Sequence, residues 1–223
     1  MKKIIAMALA VMLVLSMAAC QSAQGGTSTE PKDDGKFTIG ICQFLPHPAL
    51  DKATEGFIAA VKAGLGDAVT FDEQNAAGEA SNCTTIVNGF VSSNVDLIMA
   101  NATPAVAAAY NATETIPILG TSVTEYGVAL GIDNFNGTVG SNVSGTSDLA
   151  DLALQAEMVT QWVPTAQKVA LLYCSAEANS KYQVNKVQEY LEAMGLKCQQ
   201  FAFADTSDLS AEIGRAQSEL QSR

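Results

Sequence analysis

Strand-like and helix-like segments take turns from residue 36 to the last residue, and that alternation restricts the fold more than any other property of the chain. FTIGICQF (37–44) is a continuous apolar run with β-branched residues that stops before a Pro-x-Pro loop. ALDKATEGFIAAVKAG (49–64) sets Ala53, Phe57, Ile58 and Val61 on one helical face and closes at a glycine. AVTFDEQ (68–74), VDLIMAN (95–101) and IPILGTSV (116–123) read as strands. Between them EASNCTTIVNGFVSS (79–93) and TPAVAAAYNAT (103–113) read as helices, the second with proline in its first turn. Further on, KVALLYC (168–174) and LKCQQFAFA (196–204) are strands set among the helices 148–163, 177–195 and 207–220. The pattern weakens in 124–147, where VALGIDNF (128–135) and VSGTS (143–147) read as short strands separated by the turn-forming Asn136-Gly137.

Strands that are apolar on both faces and alternate with helices call for parallel sheets under helical cover. Right-handed crossovers then wind the sheet doubly. Residues 36–145 hold enough strands for a complete α/β lobe, whereas 146–223 hold two convincing strands and three helices. A two-stranded parallel sheet leaves both edges open and each face in need of cover. The expectation is a two-lobed α/β fold with an incomplete second lobe, and the sequence reads as a fragment.

The first twenty residues, MKKIIAMALAVMLVLSMAAC, follow other rules. Lys2 and Lys3 precede an apolar run broken only by Ser16, and Ala18-Ala19 supply small residues before Cys20. This order is that of a secretory signal (1–19), too short for a comfortable membrane span. A cysteine at that place makes it a bacterial lipoprotein signal, with Cys20 carrying the lipid and the protein tethered outside the cytoplasmic membrane. Two or more acyl chains hold a protein durably where one does not. The polar, Gly/Ser/Thr-rich stretch that completes 20–35 cannot bury enough apolar area to fold and serves as a flexible leash.

Roughly 185 residues remain, enough for one large or two small domains with real cores. Net charge is -11, or about -13 once Lys2 and Lys3 are gone. No Lys or Arg lies between Lys62 and Lys168, while eleven Asp and Glu do. Such a surface repels phosphate backbones, which argues against nucleic acid as a partner. The Asn-x-Ser/Thr triplets at Asn82, Asn101, Asn111 and Asn142 are chance matches in a bacterial lipoprotein. Cys42, Cys83, Cys174 and Cys198 lie in apolar or helical patterns without metal-ligand spacing, and read as small buried hydrophobes. Trp162, on a helix, reads as a packing residue.

In open parallel sheets, ligands bind beyond the carboxyl ends of strands, where helix amino termini point their N–H groups. Those ends hold Gln43, Phe44, Pro46, His47 and Pro48; Asn101, Thr103 and Pro104; Thr121, Ser122 and Thr124; and Ser175, Glu177, Asn179 and Ser180. Hydroxyls and amides dominate, with one imidazole, one ring and almost no cation. The set suits a small neutral or zwitterionic molecule held by hydrogen bonds. Thr103, Ser175 and Ser180 equally well cap helices, and His47 in a loop is as often a solvated bystander. Phosphate loops, dinucleotide loops and the GxSxG elbow are missing, and one histidine cannot build a multi-histidine metal site, so no cofactor and no catalysis are expected.

IGICQFLPHPALDKATEGFIAAV, VTFDEQNAAGEASNCTTIVNGFV, VDLIMANATPA, IPILGTSVTE, VSGTSDL and KVALLYCSAEANS, in this order, resemble the extracytoplasmic substrate-binding lipoproteins of ABC transporters that include tryptophan- and tyrosine-binding members. The resemblance runs from about residue 37 to the end. It implies a two-lobed periplasmic-binding-protein fold that closes on its ligand by hinge motion and docks onto permease subunits. It also implies cleft positions at Phe44, His47, Thr103, Pro104, Thr121 and Ser122 on the first lobe and Asn179 and Ser180 on the second. Two departures bear on ligand choice: Thr124-Glu125-Tyr126 stands where many relatives have Thr-Asp-Pro, and Asn101 where alanine is frequent. The leading expectation is a lipid-anchored receptor delivering an amino acid, aromatic by resemblance, to an ABC importer. A sensory receptor presenting its ligand to a membrane kinase, and an exported hydrolase acting through His47, are the alternatives.

Overall fold

The computed structural model describes residues 35–205 and 207–221. The signal, Cys20 and the leash as far as residue 34 lie outside the described residues. Strands and helices alternate: β1 (Phe37–Gln43), α1 (Pro48–Leu65), β2 (Val69–Asn75), α2 (Ala80–Ser92), β3 (Leu97–Asn101), α3 (Thr103–Ala112), β4 (Ile118–Val123), α4 (Tyr126–Leu130), β5 (Val143–Ser147), α5 (Leu152–Trp162), β6 (Lys168–Cys174), α6 (Ala178–Ala193), β7 (Lys197–Phe203) and α7 (Leu209–Gln221). Two separate parallel sheets result, one of five strands in the order β2-β1-β3-β4-β5 and one of two, β6-β7.

Strand periodicity explains why the first sheet has two cores. Odd and even residues of β1 point to opposite faces. Ile39 and Ile41 join Val69 and Met99 beneath Phe57, Ile58 and Val61 of α1. On the other face Cys42 joins Val87 and Phe90 of α2, Val106 and Ala109 of α3, and Ile98, Ala100 and Ile118 of the neighbouring strands. The Phe90 ring lies so close over β1 that a Cβ at Gly40 would stand 2.6 Å from it. The second sheet has a smaller core, with Ala156 of α5 and Leu191 of α6 over Val169, Leu171 and Cys198.

Two expectations need correction. Residues 128–135 are not a strand: α4 runs to Leu130 and ends at Gly131 in the left-handed conformation (φ 67). The Glu125 carboxylate accepts hydrogen bonds from the N–H groups of Gly127 and Val128 and so starts a helix there. Trp162 does not pack; it is 80% exposed at the end of α5, in line with exposed Leu154 and Met158. Of the cysteines, Cys42 and Cys83 are fully buried, while Cys174 and Cys198 are half-buried.

The passage from the first sheet to the second is pinned. Ser147 donates to the Thr124 carbonyl at 2.8 Å, and Asp148 N–H donates to the Val123 carbonyl at 3.0 Å. Tyr126 wedges its ring between Gly120 and Gly145, where any Cβ would collide with it, and its hydroxyl donates to the Thr146 carbonyl at 3.3 Å. Burial, aided by the nearby Asp148 carboxylate, pushes this phenol up to about 12. Asp151 then caps α5, accepting from Ala153 and Leu154 N–H at 3.1 Å.

Candidate functional site

The carboxyl ends of strands from both sheets face one crevice of about 1110 Å³. Its first wall comes from the residues after β1, β2 and β3: Phe44, Ala77 to Ser81, Thr84, Thr103 and Pro104. The opposite wall comes from the ends of β6 and β7 and the start of α6: Tyr173, Cys174, Glu177, Ser180, Phe203 and Asp205. The lining carries three rings, three carboxylates (Glu79, Glu177 and Asp205) and no Lys, Arg or His. Asp205 is held below the ordinary carboxylate range by hydrogen bonds from the Ser207 hydroxyl and backbone N–H.

The α-helices whose N-caps are described divide by where they begin. The first turns of α2, α3 and α6 all line the crevice, and none has a side-chain cap; the N-cap residues are Glu79, Ala102 and Glu177. Helices α1, α4 and α5 start away from it and are capped by His47, Glu125 and Asp151. A helix start without a cap leaves N–H groups for water or a ligand and carries partial positive charge. The chain is also strained along the same rim: Ala77 has φ 55 and Ala102 φ 91, a region that side chains with a Cβ rarely adopt.

A polar network with Gln43, Thr54 and Asn101 buried lies behind the first wall. The Gln43 amide donates to the Leu45 carbonyl at 3.0 Å and to Asp51 at 2.7 Å, and accepts from the Thr54 hydroxyl at 2.7 Å. The Asn101 amide donates to the Leu50 carbonyl at 2.8 Å and to Thr54 at 3.0 Å. Together these clamp the start of α1 and the loop bearing Phe44 onto the ends of β1 and β3. Asn101, fully buried, keeps its Oδ1 without a partner.

Of the eight positions drawn from the sequence, the crevice brings together Phe44, Thr103, Pro104 and Ser180. The Ser180 hydroxyl accepts from Cys174 N–H at 3.0 Å and so ties α6 to the end of β6. His47 stands elsewhere; its Nδ1 accepts from Ala49 N–H at 3.2 Å and caps α1. Thr121 lines a groove on the α1 face with Ala53, Phe57 and Met99. Ser122 occupies the irregularity between β4 and β5 with φ 55. Asn179 lies in the first turn of α6, its Oδ1 buried and unpartnered, and is not part of the lining. Missed from the sequence were Ala77 to Ser81, Tyr173, Phe203 and Asp205. The strand-end rule, applied also to β2 and β7, reaches most of them.

Two parallel α/β sheets with strand ends opposed across a crevice define the periplasmic-binding-protein fold. The model of the family described as "ABC transporter substrate binding protein" matches residues 38–222, and the chain belongs to that family. It is 36% identical over 220 residues to a tyrosine-binding protein of Clostridioides difficile (strain R20291), covering 95% of this chain and 64% of the relative. Among solved structures it is similar to an ABC domain in complex with L-Trp from Streptococcus pneumonia (30% identity, TM-score 0.76, 82% of this chain and 63% of that one). It is also similar to a ligand-free, open substrate-binding protein with adhesive properties from Clostridium difficile (35% identity, TM-score 0.58, 80% and 61%). The chain thus spans less than two thirds of the length of these relatives. Among its described residues no helix is long and apolar enough to cross a membrane, and no group of three or more His, Cys, Asp or Glu gathers to hold a metal.

Proposed function

We propose that this chain is the extracytoplasmic receptor of an ABC importer, anchored by lipid on Cys20 through the leash 20–35, and that its crevice takes an amino acid with an aromatic side chain. The observation that carries the reading is the convergence of three uncapped helix starts on one crevice. A ligand carboxylate receives N–H groups and helix partial charge there, an interaction of about 0.3–1 kcal/mol per helix. Glu79, Glu177 and Asp205 receive the ammonium, and Phe44, Tyr173 and Phe203 offer apolar faces to a ring. The tyrosine-binding relative and the L-Trp-bound neighbour support this choice of side chain. Phe44, Thr103, Pro104 and Ser180 are the contacts to test first. His47, Thr121, Ser122 and Asn179 act, on this reading, by holding the frame.

Calorimetric titration with L-tyrosine, L-tryptophan, L-leucine and tyramine tests the proposal. Aromatic amino acids bind, and tyramine, which lacks the carboxylate, binds at least tenfold more weakly. Equal affinity for tyramine defeats the helix-start account, and no binding by any amino acid defeats the ligand class.

The two halves, 36–145 and 146–223, are on this proposal the lobes of the clamp, the second incomplete with only two strands. We expect weak binding by the 223-residue chain, and tighter binding when the remaining third of the tyrosine-binding relative is grafted after Arg223. Equal affinity in the two proteins refutes the incomplete-clamp argument. Replacing Cys20 by Ser is expected to release the exported protein from membranes, read by fractionation. Co-purification of permease subunits with the anchored protein supports transport over sensing.

A further inference from the structure

We propose that Cys42 and Cys83 form a disulfide that fastens the start of α2 to the end of β1, making one wall of the crevice dependent on the redox conditions in which the chain folds. Both residues are fully buried in the same core cluster, and β1 packs against α2 there. Both are free thiols in the structure, and Phe90 of α2 lies over Gly40 of β1, 2.6 Å from where a Cβ would stand. Two residues on along β1 and two helical turns back along α2 bring Cys42 and Cys83 to the same joint. The neighbouring Cys83 thiol, together with burial, pushes the Cys42 thiol up, and Cys42 in turn lowers that of Cys83. Neither thiol lines the crevice, so ligand binding does not account for the pair.

Their position gives the bond a consequence. Cys42 lies two residues before Phe44, and Cys83 lies in the first turn of α2, beside Ser81 and Thr84 of the lining. The loop between β2 and α2 contains the strained Ala77 and is held to the end of β1 by two bonds, Ala76 N–H to Gln43 carbonyl and Gly78 N–H to Phe44 carbonyl, each 2.8 Å. A covalent bridge adds a third tie across the same joint and fixes the uncapped start of α2 relative to Phe44.

The other two cysteines among the described residues, Cys174 and Cys198, make no such pair. Cys198 lies opposite Val169, and Cys174 lies opposite Phe203. Five residues of strand separate the two sulfur positions, about 16 Å at roughly 3.3 Å per residue, beyond the reach of a disulfide.

The chemistry needs an oxidant, and one bearing a disulfide, such as oxidised glutathione, balances it. One cysteine thiolate attacks the oxidant, forming a mixed disulfide and releasing one reduced thiol. The second thiolate displaces the other half. The protein gains one S–S bond and loses two protons, and the oxidant takes up two electrons and becomes two thiols. Because both side chains are sealed in the folded core, the step belongs to folding, before α2 docks.

The test is to refold the full chain from urea in a buffer of oxidised and reduced glutathione, block remaining thiols under denaturant, and map peptides by mass. The expected result is a Cys42–Cys83 linkage, loss of two thiols, and a higher melting temperature that reductant cancels. Amide exchange in 76–84 should be quicker in protein refolded with reduced glutathione alone than in protein refolded with the oxidised form. The single variants Cys42→Ser and Cys83→Ser should each lose the linkage and the reductant effect, while Cys174→Ser and Cys198→Ser keep both. Full alkylation of Cys42 and Cys83, glutathione adducts alone, or a bridge to Cys174 or Cys198 overturns the proposal. The wild-type map decides the matter even where a variant fails to refold. Amino acid titrations remain a separate readout, so failure here leaves the ligand reading standing.

Discussion

The two sheets of this protein are made of similar strands but are not equally buried. In β1, FTIGICQ, the last five residues are buried; in β6, KVALLYC, none is. By hydropathy β6 is at least as suited to a core. The difference is the number of neighbours: β1 lies between β2 and β3 with helices on both faces, whereas among the described residues β6 has one strand partner, β7. Burial is therefore decided by what a strand is placed against and not by its own apolarity.

The strongest challenge to that contrast is core truncation. Phe90→Ala, at a fully buried ring on the first sheet, should cost about 3–5 kcal/mol in urea unfolding. Leu172→Ala, at a strand residue 37% exposed in the second sheet, should cost under about 1.5 kcal/mol. Equal losses would mean that the sheets are equally packed in solution.

An alkaline titration isolates the end of the first sheet. Tyr126 keeps its proton to about pH 12 in the folded protein, above its ordinary value of 10.0. Between these values the unfolded chain has lost the proton and the folded one has not, so stability falls as pH rises through that window. Tyr126→Phe should remove this component of the alkaline melting profile; an unchanged profile would place the phenol in solvent.

Caps give a smaller and sharper comparison. Asp151→Ala should destabilise by about 1 kcal/mol, because two N–H groups of α5 lose their acceptor. Glu79→Ala, at an uncapped helix start, should change stability by less than about 0.5 kcal/mol while weakening ligand binding. A stability loss at Glu79 equal to that at Asp151 would remove the distinction between structural caps and crevice residues. The smallest effect is expected at Trp162→Ser, within about 0.5 kcal/mol by thermal melting, since the ring is 80% exposed.

Nearly every strand and helix was legible from residue patterns, because a period of two or of 3.6 is a local property that neighbours only reinforce. The exception is instructive: 128–135 has strand-like composition, yet Glu125 starts a helix by accepting from N–H groups two and three residues ahead. Four of the eight site positions drawn from the sequence lie in the crevice, since strand ends in parallel sheets point one way.

The rest belonged to distant pairings. His47 and Ser180 look alike as polar residues after a strand, and only the packing of α1 and α6 made one a remote cap and the other part of the crevice. Trp162 looks like core, and its exposure depends on what lies beside α5. Cys42 and Cys83 are forty-one positions apart, and no local pattern brings them together. Local periodicity is written in a few adjacent residues. Contact across a sheet, a crevice or a core depends on the whole chain having folded, and there the tertiary structure alone decides.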